Sequence, residues 1–219
     1  MNRSNPRIPF ADTLQQLVSM VFGTLLPEHG IDDTAISMAE KRLGIQFPRT
    51  LRSFYSLCGN HREVMDGMNH LLPLPELDIE NGGLVFGEEN QCVMIYGILL
   101  KNMTESDPPV MQRDPGEEPW YLDSEALSRF LLVSSCWQAC NTLHSVAETT
   151  ISPAQLQSLQ SQYAHAIAGT PPDDPEYGFW RNNFAAVAFP KSGEMYIATT
   201  SDEELDRFGR LHGLDLSYC

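Results

Sequence analysis

Apolar residues recur along the first sixty positions with the spacing of helices that bury one face. Leu14, Leu17, Val18, Val21, Phe22 and Leu25 fall three and four apart, which predicts an amphipathic helix. The stretch PEHGIDD breaks that pattern. Asp32 then stands where an N-cap accepts from a first turn, with Ile31 and Ile36 in staple positions. Ile36, Ala39 and Leu43 give this second helix its apolar face, and Gly44 is placed to end it in the left-handed conformation. Pro48 is tolerated in a first helical turn, and Leu51, Phe54, Tyr55 and Cys58 carry a third helix to Gly59. Two short helices therefore meet at a tight corner, residues 40 to 60, with Ile45 and Phe47 expected inside it.

The period changes further on. Residues 71 to 77, LLPLPEL, are too rich in proline for a central strand and read as an edge or loop. Residues 82 to 99 read as a β-hairpin with its polar tip at Glu88 to Gln91. Residues 101 to 119 hold four prolines and read as an irregular, exposed, acidic connection. Trp120 to Leu122 predict a short strand, after which Asp123 is placed to cap a long helix from Ser124 to about Glu148. Ser152, Pro153 and Gln155 form a capping box for a helix through Leu156, Leu159, Tyr163 and Ile167 to Gly169. A loop over 170 to 183 leads to a second hairpin, FAAVAFP and MYIATT around KSGE. Ser201 and Glu204 start a last helix carrying Leu205, Phe208 and Leu211. This order lacks the strand–helix alternation of a doubly wound sheet. It predicts an α+β fold, mainly an antiparallel sheet with helices packed on it, in which residues 1 to 30 are a helical extension on a single domain of residues 31 to 219.

Composition narrows the chemistry. No run of 18 apolar residues occurs and no cleavage site follows the N-terminal apolar stretch, so a soluble cytoplasmic protein is expected. Five cysteines without a CxxC pair do not form a disulfide framework. Cys136, Cys140 and His144 have a spacing that puts ligands on one side of a helix, but with no fourth ligand near they read as a buried stripe. Cys58 with His61 is the one nucleophile pairing, and it sits at a helix C-terminus, whose negative dipole end raises a thiol pKa. Phosphate-binding loops, nucleophile elbows, zinc-protease motifs and EF-hand loops are all missing from the sequence. Adjacent acids such as Glu88/Glu89 and Glu117/Glu118 point different ways on an extended chain and read as solvated side chains. The expectation is a non-enzyme without metal or cofactor.

Charge then says what such a chain can meet. The net charge is −15, and residues 61 to 125 hold three Lys/Arg against 14 Asp/Glu. A field of that sign repels nucleic acid and anionic membrane, and attracts a basic protein or a cation. Solubility alone also accounts for an acidic chain. Glu88, Glu89, Asp107, Asp114, Glu117 and Glu118 are the candidate partner-binding residues, chosen for expected exposure at a tip or loop.

The corner carries one more signal. Glu40, Leu43-Gly44, Phe47-Pro48, Leu51, Phe54-Tyr55 and Gly59-Asn60 resemble the N-terminal helix pair of the SUKH superfamily. Leu84-Val85-Phe86, Glu89-Asn90-Gln91 and Tyr96-Gly97 resemble its central hairpin, and Asp107 to Val110, Trp120 and Leu127 to Leu131 follow in matching order. The likeness spans residues 32 to 135 and is looser through the last hairpin and helix. Tyr96 stands where related members often have Trp, and the helix before residue 30 lies outside the common core. The resemblance implies a non-enzymatic α+β binding module. Bacterial members are commonly immunity proteins that neutralise a toxin, often a nuclease, and the eukaryotic ones, including the yeast cell-wall-synthesis regulators, are interaction proteins. The expected partner is thus a basic toxin domain. The same fold serving as a regulatory scaffold is the alternative, and an enzyme would need several of these acids, or the Cys and His groups, to converge in a pocket.

Overall fold

The computed structural model describes residues 9 to 116, 119 to 169 and 175 to 218. Four helices come first: α1 (Phe10–Val21), α2 (Asp33–Leu43), α3 (Arg49–Cys58) and α4 (Arg62–Met65). Six strands follow: β1 (Asn69–Leu71), β2 (Asp78–Glu80), β3 (Gly83–Glu89), β4 (Ile95–Leu99), β5 (Val110–Arg113) and β6 (Tyr121–Ser124). Helix α5 (Leu127–Thr142) leads to β7 (Ser145–Thr150), α6 (Pro153–Gln162), β8 (Ala164–Ala168), β9 (Glu176–Arg181), β10 (Phe184–Phe189), β11 (Glu194–Thr199), α7 (Asp202–His212) and β12 (Ser217–Tyr218). The fold is α+β and its strands pair antiparallel. They form two six-stranded sheets. The first runs β1-β3-β4-β5-β6 with β2 beside β1 on the same edge, and the second runs β12-β7-β11-β10-β9-β8.

The capped helices form as their local chemistry dictates. Asp32 accepts from the Ala35 N–H at 2.9 Å, and Gly44 ends α2 at φ 70°, a conformation a side chain would strain. Glu40 is buried in the corner that follows, where its carboxylate accepts from the Phe47 N–H at 2.9 Å and from Arg52 at 2.6 Å. Arg42 donates to the Leu74 and Leu77 carbonyls and the buried Tyr55 hydroxyl to Leu72, so the helix pair fixes the proline-rich segment behind it. Helix α1 buries Leu14, Leu17, Val18 and Val21 in the same core.

Helix α5 is the centre of the molecule. It packs on β8, β9 and β10 on one side and meets α1, α3, α4 and β1 on others. Its residues from Phe130 to Cys136 are all buried, with no amphipathic division. Small residues let the second sheet approach: a Cβ on Gly178 would lie 3.1 Å from Cys136 Sγ and 3.2 Å from Val133 Cα. That sheet's far face, with Phe179, Ala186, Met195 and Ile197, packs on Leu159 of α6 and Leu205 and Phe208 of α7. Burial on both faces explains why β10 reads as an unbroken apolar run.

Several sequence expectations change. The long helix ends at Thr142, and residues 145 to 150 form β7, whose alternating burial and threonines suit a half-buried strand. The helix after Ser152 stops at Gln162, and residues 164 to 168 pair with β9 inside the stretch read as a loop. Strand β5 lies within the connection read as irregular. Asp123 does not cap α5. Asp107 does, accepting from the Ser128 N–H at 2.8 Å and the Ser128 hydroxyl at 2.6 Å.

Gln138 on α5 is wholly buried and carries the polar join to the first sheet. Its amide donates to the Val64 and Asn69 carbonyls and accepts from the Asn69 N–H. Gln138→Leu leaves those backbone groups unpaired in the core, and is expected to cost about 2–4 kcal/mol. Urea denaturation reads it as a lower midpoint at unchanged slope.

Candidate functional site

A cleft of about 250 Å³ opens between the two sheets with α5 as its floor. Phe130, Val133, Ser134 and Trp137 line it at helical spacing, three and four apart, so one stripe of α5 faces the gap. The first sheet contributes Asn69 of β1, Glu89 of β3, Tyr96 of β4 and Asp123 of β6. The second contributes Ala168 of β8, Glu176 of β9 and Phe189 of β10.

The aromatic walls are braced by one another. Tyr96 lies 4.9 Å from Phe130 between ring centroids, and Trp137 sits 5.6 Å from Phe189 and 5.1 Å from Tyr196. The Trp137 indole N–H donates to Glu176 at 3.3 Å, which fixes both side chains. Glu89 accepts from the Gln91 N–H at 2.8 Å. Asn69 is 7% exposed and donates its Nδ2–H to the buried Ser134 hydroxyl at 3.2 Å.

Three carboxylates line this half-closed site, and one of them is strongly perturbed. Burial, and secondarily the charge of Glu176, pushes the Asp123 carboxyl up to about 7. Burial raises the Tyr96 hydroxyl far above its usual range, and the charges of Asp123, Glu176 and Glu89 add to that. Tyr96 thus feels all three acids at once. Among the described residues no group of three or more His, Cys, Asp or Glu is placed to hold a metal ion. The walls offer hydrogen-bond acceptors and aromatic faces, a combination that suits an organic cation.

Of the six acids expected at a partner surface, Glu89 alone among the four described lines this cleft. Glu88 is its neighbour on β3 and pairs across the sheet with His70 instead. Both are half-buried at the end of the strand rather than exposed. Asp107 has both carboxylate oxygens engaged by Ser128, so its role is at the start of α5. Asp114 is exposed after β5. Glu117 and Glu118 lie outside the described residues. Sequence reasoning missed Asp123, placed as a cap, and Glu176, placed in a loop. Neither acid carries a local signal, because burial does not alternate along β6 or β9 and both are placed by strand partners elsewhere in the chain.

The cysteine alternatives fall away. Burial pushes the Cys58 thiol up to about 12, and His61 is buried against His29, ring centroids 4.4 Å apart. Cys136 and Cys140 are buried in the core, while His144 is exposed beyond the end of α5.

Asp123 gives a pH signature. Its carboxyl moves from an ordinary 3.8 up to about 7, so between those values the folded chain holds a proton that the unfolded chain has lost. Stability from this group is present below the lower value and is lost as pH rises through the upper one. Asp123→Asn removes that loss. Thermal and urea unfolding at about pH 4.5 and pH 8 are expected to show the variant gaining about 1–3 kcal/mol on its parent between the two. A constant difference would place Asp123 in an ordinary solvated setting.

No family model, curated protein or solved structure matches this chain.

Proposed function

We propose that the chain is a non-enzymatic protein-binding module of the SUKH type, acting in the cytoplasm as an immunity protein that sequesters a basic toxin domain. The observation that carries this reading is the convergence of Glu89, Asp123 and Glu176 in an aromatic-walled cleft on a chain of net charge −15. A nuclease-type toxin is basic where it grips phosphate. An acidic partner speeds encounter with that surface and competes with nucleic acid for it. The resemblance of residues 32 to 135 supplies the family part of the proposal, and nucleic acid and membrane are not its ligands on charge grounds.

A regulatory scaffold of the same fold stands as the alternative. The two separate on the partner: an immunity protein pulled from its native host carries a basic protein whose toxicity it suppresses. A second reading has one observation behind it. An acid near pH 7 beside another carboxylate in a cleft is the setting of a general acid, and hydrolysis of glycoside or ester substrates that vanishes in Asp123→Asn would favour it.

Once the partner is identified by co-purification, Glu88, Glu89 and Asp114 replaced together by Gln, Gln and Asn are expected to slow its association about three- to tenfold at low salt. The salt dependence of the rate is expected to flatten as well, read by stopped-flow mixing. An unchanged rate and salt slope would sink electrostatic steering and leave shape-driven binding through the aromatic walls.

A further inference from the structure

Two imidazoles meet where the N-terminal segment closes on the rest of the chain. His61 is 4% exposed, and its ring centroid lies 4.4 Å from that of His29 and 5.8 Å from that of Phe22. His61 starts α4, whose Val64 and Met65 N–H groups donate to its carbonyl. His29 ends a short helical turn, Pro27–His29, in the connection between α1 and α2. That connection is sewn to the end of α3. The Ile31 N–H donates to the Tyr55 carbonyl at 3.0 Å, the Asn60 N–H to the His29 carbonyl at 2.9 Å, and the Asn60 side-chain amide to the Gly30 carbonyl at 2.8 Å. The rings are held together by this seam, not by each other.

The polar atoms of the pair are set for the neutral state. His61 Nδ1 is buried and has no hydrogen-bond partner among the described residues. His29 Nδ1 accepts from the Leu26 N–H at 3.2 Å, which puts the proton of the neutral ring on Nε2. An imidazolium cannot accept, so protonating His29 breaks the Leu26 bond. Protonating His61 places a cation inside the seam, and protonating both sets like charges against each other.

Other groups around His61 do little to offset this. Glu63 of α4 is exposed, with a carboxylate oxygen 3.3 Å from His61 Nδ1, and it favours the cation. The end of α1 brings the Phe22 ring, and α3 brings the Cys58 carbonyl, which accepts from the His61 N–H; neither carries charge. Glu28, beside His29, and Arg62, beside Glu63, are exposed. Burial first, and His29 next, hold the His61 imidazole below its usual range, against Glu63.

We propose that the His29–His61 pair is an acid-sensitive latch, which holds the connection between α1 and α2 on the α3–α4 turn at neutral pH and releases it on acidification. The latch stands apart from the protein-binding reading. The unfolded chain takes up the His61 proton near the ordinary 6.5, and the folded chain only at lower pH. Stability from this group is therefore present above 6.5 and is lost as pH falls below it. Asp123 acts in the opposite direction, so the two are separable.

Imidazole resonances of the full chain, followed from about pH 8 to pH 5, are the first readout. His29 is expected as the Nε2–H tautomer at the upper end, and His61 is expected to titrate below a histidine in an unstructured peptide. Amide hydrogen exchange, corrected for the pH dependence of the intrinsic rates, is the second. Between about pH 7.5 and pH 5.5, protection of the Leu26, Ile31 and Asn60 amides is expected to fall about three- to tenfold, while that of β10 holds. His61→Phe keeps a ring without the titration and is expected to flatten the fall. Glu63→Gln is expected to move the His61 midpoint lower still, a test that stands even where His61→Phe fails to fold. A His61 midpoint at or above the peptide value overturns the latch. So does a loss of protection that is equal in β10, or unchanged in a folded His61→Phe variant.

Discussion

Helix α5 has no face left for water along its middle two turns, and every polar group on it has to be satisfied by the elements around it. That constraint organises the rest. Gln138 engages the backbone of β1 and the end of α4, Ser135 donates to the Leu131 carbonyl, and Cys136 Sγ lies 3.6 Å from the Phe179 carbonyl of β9. Asp107 closes the N-terminus from the loop before β5. The Gln138 bonds reach the first sheet and the Cys136 contact the second, so α5 docks both sheets at once. A buried polar join of this kind specifies one arrangement more sharply than apolar packing can, because a shifted register leaves donors and acceptors unpaired.

The same geometry creates the cleft. One stripe of α5, from Phe130 to Trp137, lies along the gap between the sheets and forms its floor. Into that gap the ends of β3, β6 and β9 bring one carboxylate each, from positions 89, 123 and 176. Burial opposes the charged form of Asp123, and the charge of Glu176 adds to that. Stability at neutral pH is lowered by an arrangement that any apolar substitution would relieve. Groups held against their own preference in this way concentrate at functional sites.

How much of this the sequence shows depends on how local the deciding interaction is. Asp32, Gly44, the Ser152–Gln155 box and Ser201 all act within four residues of themselves, and each stands where its pattern placed it. The strands at 145 to 150, 164 to 168 and 176 to 181 are decided by partners far along the chain. AHAIA is as good a helix as a strand until β9 pairs with it. The cap of α5 illustrates the same limit. Asp123 sits four residues before the helix and looked the part, but Asp107, 21 residues before Ser128, takes it. Once Asp107 fills that role, Asp123 is released to face the cleft. Glu89 was singled out for a hairpin tip and earned attention for the wrong reason, since its half-burial, not its exposure, gives it a place in the site.

Two carboxylates that both leave solvent show how structure and site are told apart. Glu40 is 3% exposed, and its oxygens are met by the Phe47 N–H and by Arg52, which also pairs with Asp33. A buried charge with that many donors is a structural device: it locks the α2–α3 corner. Asp123 is half-buried, meets no donor among the described residues, and feels the charge of a second acid. Burial alone does not separate the two cases, and neither does charge. The count of partners does: Glu40 is satisfied within the fold, whereas the half-buried Asp123 at the cleft keeps its polar contacts on the open side.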